Sequence, residues 1–112
     1  MPQCFLSPLE KEALGEFKNQ ILQKLGRRVL AVKIFGSKAR GNAKKTSDID
    51  ILVLVKTSSL KTEEIIFDVA TQVLIKYGVD LSVKIFSSKE FQEGLSLEIP
   101  FYLKVHKEAL AL

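Results

Sequence analysis

The sequence predicts an α/β (α+β) fold, a short mixed β-sheet packed against helices. Three observations carry this expectation. There are three short β-branched runs, Val29 to Phe35, Ile49 to Val55 and Val79 to Phe86; helical periodicity stands before, between and after them; and capping residues mark where helices should start. At 112 residues the chain is long enough for one hydrophobic core and too short for a second of ordinary size, so residues 1–112 read as a single domain. Hydrophobic residues make up 46% and charged residues 27%, ordinary globular values that leave no place for a large disordered part.

Ser7 can cap a helix that starts at Pro8, and Glu10 can close a capping box with it. Leu9, Leu14, Phe17, Ile21, Leu22 and Leu25 then recur at helical spacing, and Gly26 supplies the stop. "VLAVKIF", Val29 to Phe35, is β-branched and interrupted only by Lys33, which suits a strand, and Ile49 to Val55 has the same character. The helical period returns through Ile65, Ile66, Val69, Val73, Leu74 and Tyr77, with Thr62 or Ser59 as cap and Gly78 as stop. After the third strand, Ser87 and Glu90 form another capping-box pair that starts a short helix. Pro100 then opens a last helix expected to run through Phe101, Leu103, Val105 and Leu110.

Several function classes are excluded or ranked low by composition. The apolar runs fall far short of a bilayer span, and the N-terminus carries acids where a signal peptide needs a cationic start, so a cytoplasmic protein is expected. Cys4 is the only cysteine, which rules out an intrachain disulfide and a site built on paired thiolates; we give it no role. The net charge of +4 favours anions, but the cationic stretch lacks interleaved aromatics, so nucleic-acid binding ranks low. His106, the only histidine, has no metal partner at useful spacing and reads as structural.

The chemistry concentrates in "IFGSKARGNAKKTSDIDILVLV", Ile34 to Val55. Gly36 and Ser37 follow a strand directly, and a short helical turn from Lys38 to Arg40 is expected before Gly41. A strand that ends in Gly-Ser offers backbone N–H groups and a hydroxyl to an anion, and glycine lets a phosphate approach the chain closely. Gly36 and Ser37 therefore read as a triphosphate cradle, with Lys38, Arg40, Lys44 and Lys45 adding positive charge. Asp48 and Asp50 are two residues apart in a strand, so they project from one face about 7 Å from each other. Two like charges this close destabilise an apolar strand unless a cation compensates, and Mg²⁺ with oxygen ligands is the simplest compensator. Each piece has a plainer reading alone. The Gly-Ser pair could be a turn, Asp48 a cap, Asp50 an edge-strand charge, and the basic run a solvated hairpin tip.

Together, Gly36-Ser37, Arg40-Gly41 and Ser47-Asp48-Ile49-Asp50 resemble the signature of the DNA polymerase β-like nucleotidyltransferase superfamily, G-S-x-x-x-G followed by D-x-D on the next strand. The match is nearest to its minimal prokaryotic members, which are often paired with a helical partner of the higher eukaryotes and prokaryotes nucleotide-binding (HEPN) type. The resemblance implies the small nucleotidyltransferase fold and a third acid on a later strand, for which Asp80 in "VDLSVKIF" is the match. Alternation puts Asp80, Ser82 and Lys84 on one face of that strand, where Lys84 could pair with Asp80 and withdraw it from a metal.

By resemblance, Asp48, Asp50 and Asp80 are the catalytic and metal-ligating residues, with two Mg²⁺ ions possible. Gly36, Ser37, Arg40, Gly41 and Ser47 are then the residues that bind ATP or another nucleoside triphosphate. The implied reaction transfers a nucleotide, AMP in the first instance, to a hydroxyl, with Asp80 as general base and pyrophosphate as leaving group. The implied acceptor is a small helical HEPN-type partner in a toxin–antitoxin pair; a homo-oligomer is the other way to complete so small a site. Phe101, Tyr102 and Val105 could form such a contact, although core packing is the commoner use of such residues. The competing reading is a non-catalytic antitoxin that acts by occluding its partner.

Overall fold

The computed structural model describes residues 6–36 and 48–112. Its elements are α1 (Pro8–Leu25), a 3-10 turn (Gly26–Arg28), β1 (Val29–Phe35), β2 (Ile49–Val55), α2 (Leu60–Tyr77), β3 (Leu81–Ser87), α3 (Ser88–Ser96), α4 (Pro100–Glu108) and β4 (Leu110–Ala111). The expected α+β class is what forms. The four strands make one mixed sheet in the order β3-β2-β1-β4. β1 runs antiparallel to β2 and β4, whereas β2 and β3 are parallel and joined by the α2 crossover.

Capping chemistry starts the helices where the sequence places them. The Ser7 hydroxyl accepts from the Glu10 N–H at 3.1 Å, the Ser7 N–H donates to Glu10 Oε1 at 2.9 Å, and Pro8 occupies the first turn. Ser87 and Glu90 repeat the arrangement at α3. Of the two candidate caps for α2 it is Ser59 that serves, accepting from the Thr62 N–H at 3.2 Å. Two elements differ from expectation in their bounds. The third strand runs from Leu81 to Ser87 rather than from Val79 to Phe86, and the last helix ends at Glu108, because Leu110 pairs with Ile34 in β4.

Alternation along the strands builds two cores, one on each face of the sheet. On the first face α1 and α2 pack Phe17, Ile21, Ile66, Val69 and Val73 against Ile34, Ile49, Ile51, Val53 and Val83. Phe17, Ile21, Ile49, Ile51 and Ile66 are fully buried there, each worth about 1.5–3 kcal/mol over exposure. Leu9, Leu22 and Leu74, part of the same helical patterns in the sequence, remain exposed at 49%, 37% and 42%, so the apolar stripes are narrower than their spacing suggests. On the second face α3 and α4 cover Phe35, Leu52, Leu54 and Phe86 with Phe91, Tyr102 and Val105. This second cover stops short of the head of β2, and there the candidate site lies.

Candidate active site

Burial of the odd-numbered residues of β2 decides where its acid points. Ile49, Ile51, Val53 and Val55 enter the first core, so Asp50, Leu52 and Leu54 face the other way. Leu52 and Leu54 are roofed by helices, and Asp50 is left half-buried at the open end. β2 lies between β3 and β1, so the edge-strand reading of Asp50 fails: an interior strand has no free edge to protect.

The turn that follows β1 reaches the same place. Phe35 is the cross-strand partner of Asp50, and Gly36 follows it with φ +74°. A Cβ at Gly36 would stand 3.2 Å from Asp50 Cγ and closer still to Oδ2. Glycine is therefore required twice at position 36, by its left-handed backbone and by the carboxylate against it.

The parallel register brings Asp80 to the head of the neighbouring strand. Ile49 is abreast of Leu81 and Asp50 of Ser82, and the Ile49 N–H donates to the Asp80 carbonyl at 3.2 Å, the slanted bond of a parallel pair. Asp48 and Asp80 thus each precede the first paired residue of β2 and β3. Val79, Leu81 and Val83 are buried in the first core, so Asp80 turns toward the face of Asp50, as alternation predicts. Asp48 and Asp80 are both exposed. Among the described residues Lys84 makes no ion pair with Asp80. Four residue steps along the chain separate them by about 13 Å, too far for direct pairing.

Gly36, Asp48, Asp50 and Asp80 are thus brought to one end of the sheet. Among the described residues no three His, Cys, Asp or Glu side chains are gathered as a ready-made metal site. Ser37, Arg40, Gly41 and Ser47, together with the expected turn from Lys38 to Arg40 and the cations Lys44 and Lys45, lie outside the described residues.

The family model of the nucleotidyltransferase domain matches residues 14–108. The chain belongs to the nucleotidyltransferase domain family. It is an enzyme of nucleotidyl transfer, and the matched span runs from within α1 to the end of α4, so it includes Asp48, Asp50 and Asp80. A Methanocaldococcus jannaschii protein assigned as a protein adenylyltransferase is 32% identical over 87 residues, which cover 78% of this chain and 83% of that protein. A solved structure assigned as a minimal nucleotidyltransferase superposes with a TM-score of 0.54 at 27% identity, over 90% of this chain and 94% of the other. A second, described as a toxin–antitoxin with AMP-PNP, shares the fold with a TM-score of 0.52 at 18% identity, over 85% of this chain and 68% of that one.

Sequence reasoning did not place everything that stands on this face of the sheet. Phe101, given only a core or partner-contact role, stands edge-on to Phe35, the strand partner of Asp50, with ring centroids 6.2 Å apart. Helical spacing could not reveal this, because it depends on how α4 lies across the sheet. The same helix places the His106 ring 6.5 Å from Phe91. Among the described residues no helix is long and apolar enough to cross a membrane.

Proposed function

We propose that this nucleotidyltransferase transfers AMP from ATP to a hydroxyl on a protein, in a reaction that depends on Mg²⁺. One observation carries the reading: the Asp50 carboxylate lies against Gly36, so the turn that would receive the triphosphate and the strand that carries the acids share one corner.

Asp48, Asp50 and Asp80 offer only hard carboxylate oxygens, the donor set that suits Mg²⁺, and they are the residues that would hold it. Bound there, the ion would neutralise triphosphate charge and acidify the acceptor hydroxyl. The chain's own groups do the rest. Gly36 and Ser37 grip the β and γ phosphates through backbone N–H groups and the hydroxyl, with Arg40, Gly41 and Ser47 completing the loop. Asp80 takes the proton of the acceptor hydroxyl as its oxygen bonds to the α-phosphorus. The bond from that phosphorus to the α–β bridging oxygen breaks, and pyrophosphate leaves in line.

The protein acceptor is supported by the name of the M. jannaschii relative, and a toxin partner by the toxin–antitoxin structure that shares the fold. We assign the partner to the small helical HEPN class, with this chain as its antitoxin in the cytoplasm. The deciding experiment is calorimetric titration of the protein with a non-hydrolysable ATP analogue, with and without Mg²⁺, beside the Asp48→Asn, Asp50→Asn double variant. Metal-dependent binding that the variant loses is the expected result. Equal binding by both proteins would sink the site assignment and favour occlusion of the partner.

A further inference from the structure

Among the described residues, helices cover only part of the face that carries Asp50, and Phe101 stands on that part. Its ring meets Phe35 at 6.2 Å, Phe86 at 6.0 Å and Tyr102 at 5.5 Å between centroids. Phe35 and Phe86 belong to β1 and β3, the strands on either side of β2. Phe35 is abreast of Asp50, and Phe86 is abreast of Leu54. A ring that touches both must lie over β2 between those two positions, above Leu52. That is one same-face step, about 7 Å, from Asp50.

Three aromatic neighbours fix the ring, yet Phe101 keeps 40% of its surface exposed. Asp50 and Ser82, the next same-face positions toward the heads of β2 and β3, are themselves only half-buried. A flat apolar face, held rigid beside the acids, is a site for a flat apolar ligand group. It loses little freedom when that group arrives.

We propose that Phe101 is the platform on which the base of the nucleoside triphosphate stacks, with purines favoured over pyrimidines for their larger face. The inference rests on the nucleotide reading above and adds the side chain that holds the base. Stacking of a base on an aromatic side chain commonly changes affinity by about tenfold or more. The phosphates are gripped elsewhere, so the contribution of Phe101 should be confined to ligands that have a base.

The chain has no tryptophan, so Phe101→Trp introduces a single tryptophan, excited apart from the two tyrosines, at the proposed platform. Three ligands are titrated in Mg²⁺: a non-hydrolysable ATP analogue, the corresponding CTP analogue and inorganic tripolyphosphate. The proteins are wild type, Phe101→Leu, Phe101→Trp and Asp50→Asn. Phe101→Leu keeps the apolar bulk under α4 and loses the aromatic face. It should bind the ATP analogue about tenfold more weakly and tripolyphosphate as wild type does, with a smaller loss for the CTP analogue. Phe101→Trp should retain affinity, and its emission should respond to the ATP analogue but not to tripolyphosphate. The inference is overturned if Phe101→Leu binds the ATP analogue like wild type, or loses all three ligands alike. If Asp50→Asn still weakens binding in that case, the nucleotide site survives and only the platform is wrong. If wild type binds none of the three, both readings fall.

Discussion

Gly36 is pressed against Asp50: a Cβ at position 36 would stand 3.2 Å from the Asp50 Cγ, and closer to Oδ2, on a backbone at φ +74°. Gly36→Ala therefore meets two penalties. The left-handed backbone alone costs about 1–2 kcal/mol, which should appear as a lower urea midpoint. Displacing the carboxylate should reduce AMP transfer far more than the lost stability explains, as measured under conditions where circular dichroism shows the variant folded.

Asp80 should separate binding from chemistry. If it takes the acceptor proton, Asp80→Asn should keep most of the affinity for the ATP analogue while transfer falls by about 10²–10⁴-fold. Comparable losses in both would instead place Asp80 among the groups that hold the nucleotide.

Gly94 and Tyr102 fix the α3–α4 hairpin. A Cβ at Gly94 would stand 2.7 Å from Tyr102 Cδ1 and nearer still to other atoms of the ring. Alanine in a helix interior gains about 1 kcal/mol over glycine, but overpacking of this kind typically costs about 1–3 kcal/mol. Gly94→Ala should thus be destabilising. Gly15→Ala in α1 has nothing within 4 Å of the new methyl and should stabilise by about 0.5–1 kcal/mol. The opposite signs are read from thermal melts of the two variants.

Glu98 has φ +56° at the end of α3, where its N–H donates to the Leu95 carbonyl at 3.0 Å and the Ile99 N–H to the Gly94 carbonyl at 3.1 Å. This is a Schellman closure with a side chain at the position that glycine favours. Glu98→Gly should raise stability by up to about 1 kcal/mol in urea titrations.

Lys76 joins α2 to α1, donating to Glu16 Oε1 at 2.7 Å, while the Tyr77 hydroxyl donates to the same oxygen at 3.3 Å. The hydrogen bond to Glu16, followed by its charge, raises the Lys76 pKa above its usual 10.5. A raised folded pKa contributes stability that is complete below the unfolded value and is lost as pH rises through the folded one. The stability gap between wild type and Glu16→Gln should therefore hold through neutral pH and close above about pH 10.5. Urea midpoints across that range measure it. The gap should be small, because Lys76 is well exposed.

Helix starts were legible because capping is local chemistry. Ser7 with Glu10, Ser59 with Thr62, and Ser87 with Glu90 each act within four residues of sequence. The strands were legible because burial on one face imposes a period of two, which also separated Asp50 and Asp80 from the core residues around them. β4 was not legible. Leu110 and Ala111 extend only because Ile34 and Lys33 present an open edge to them, and helical spacing through Leu110 gave no sign of that edge.

The sequence by itself determined which residues carry charge on apolar strands and which side of each strand they take, since both follow from order along the chain. Only the tertiary structure decided that Gly36 closes on Asp50, that the head of β3 behind Asp80 pairs with the head of β2 behind Asp48, and that Phe101 bridges Phe35 and Phe86 on either side of β2. Those relations depend on the antiparallel register of β1 with β2, the parallel register of β2 with β3, and the way α4 crosses the sheet. Each is fixed by contacts between residues far apart in the chain, and local periodicity carries no record of them.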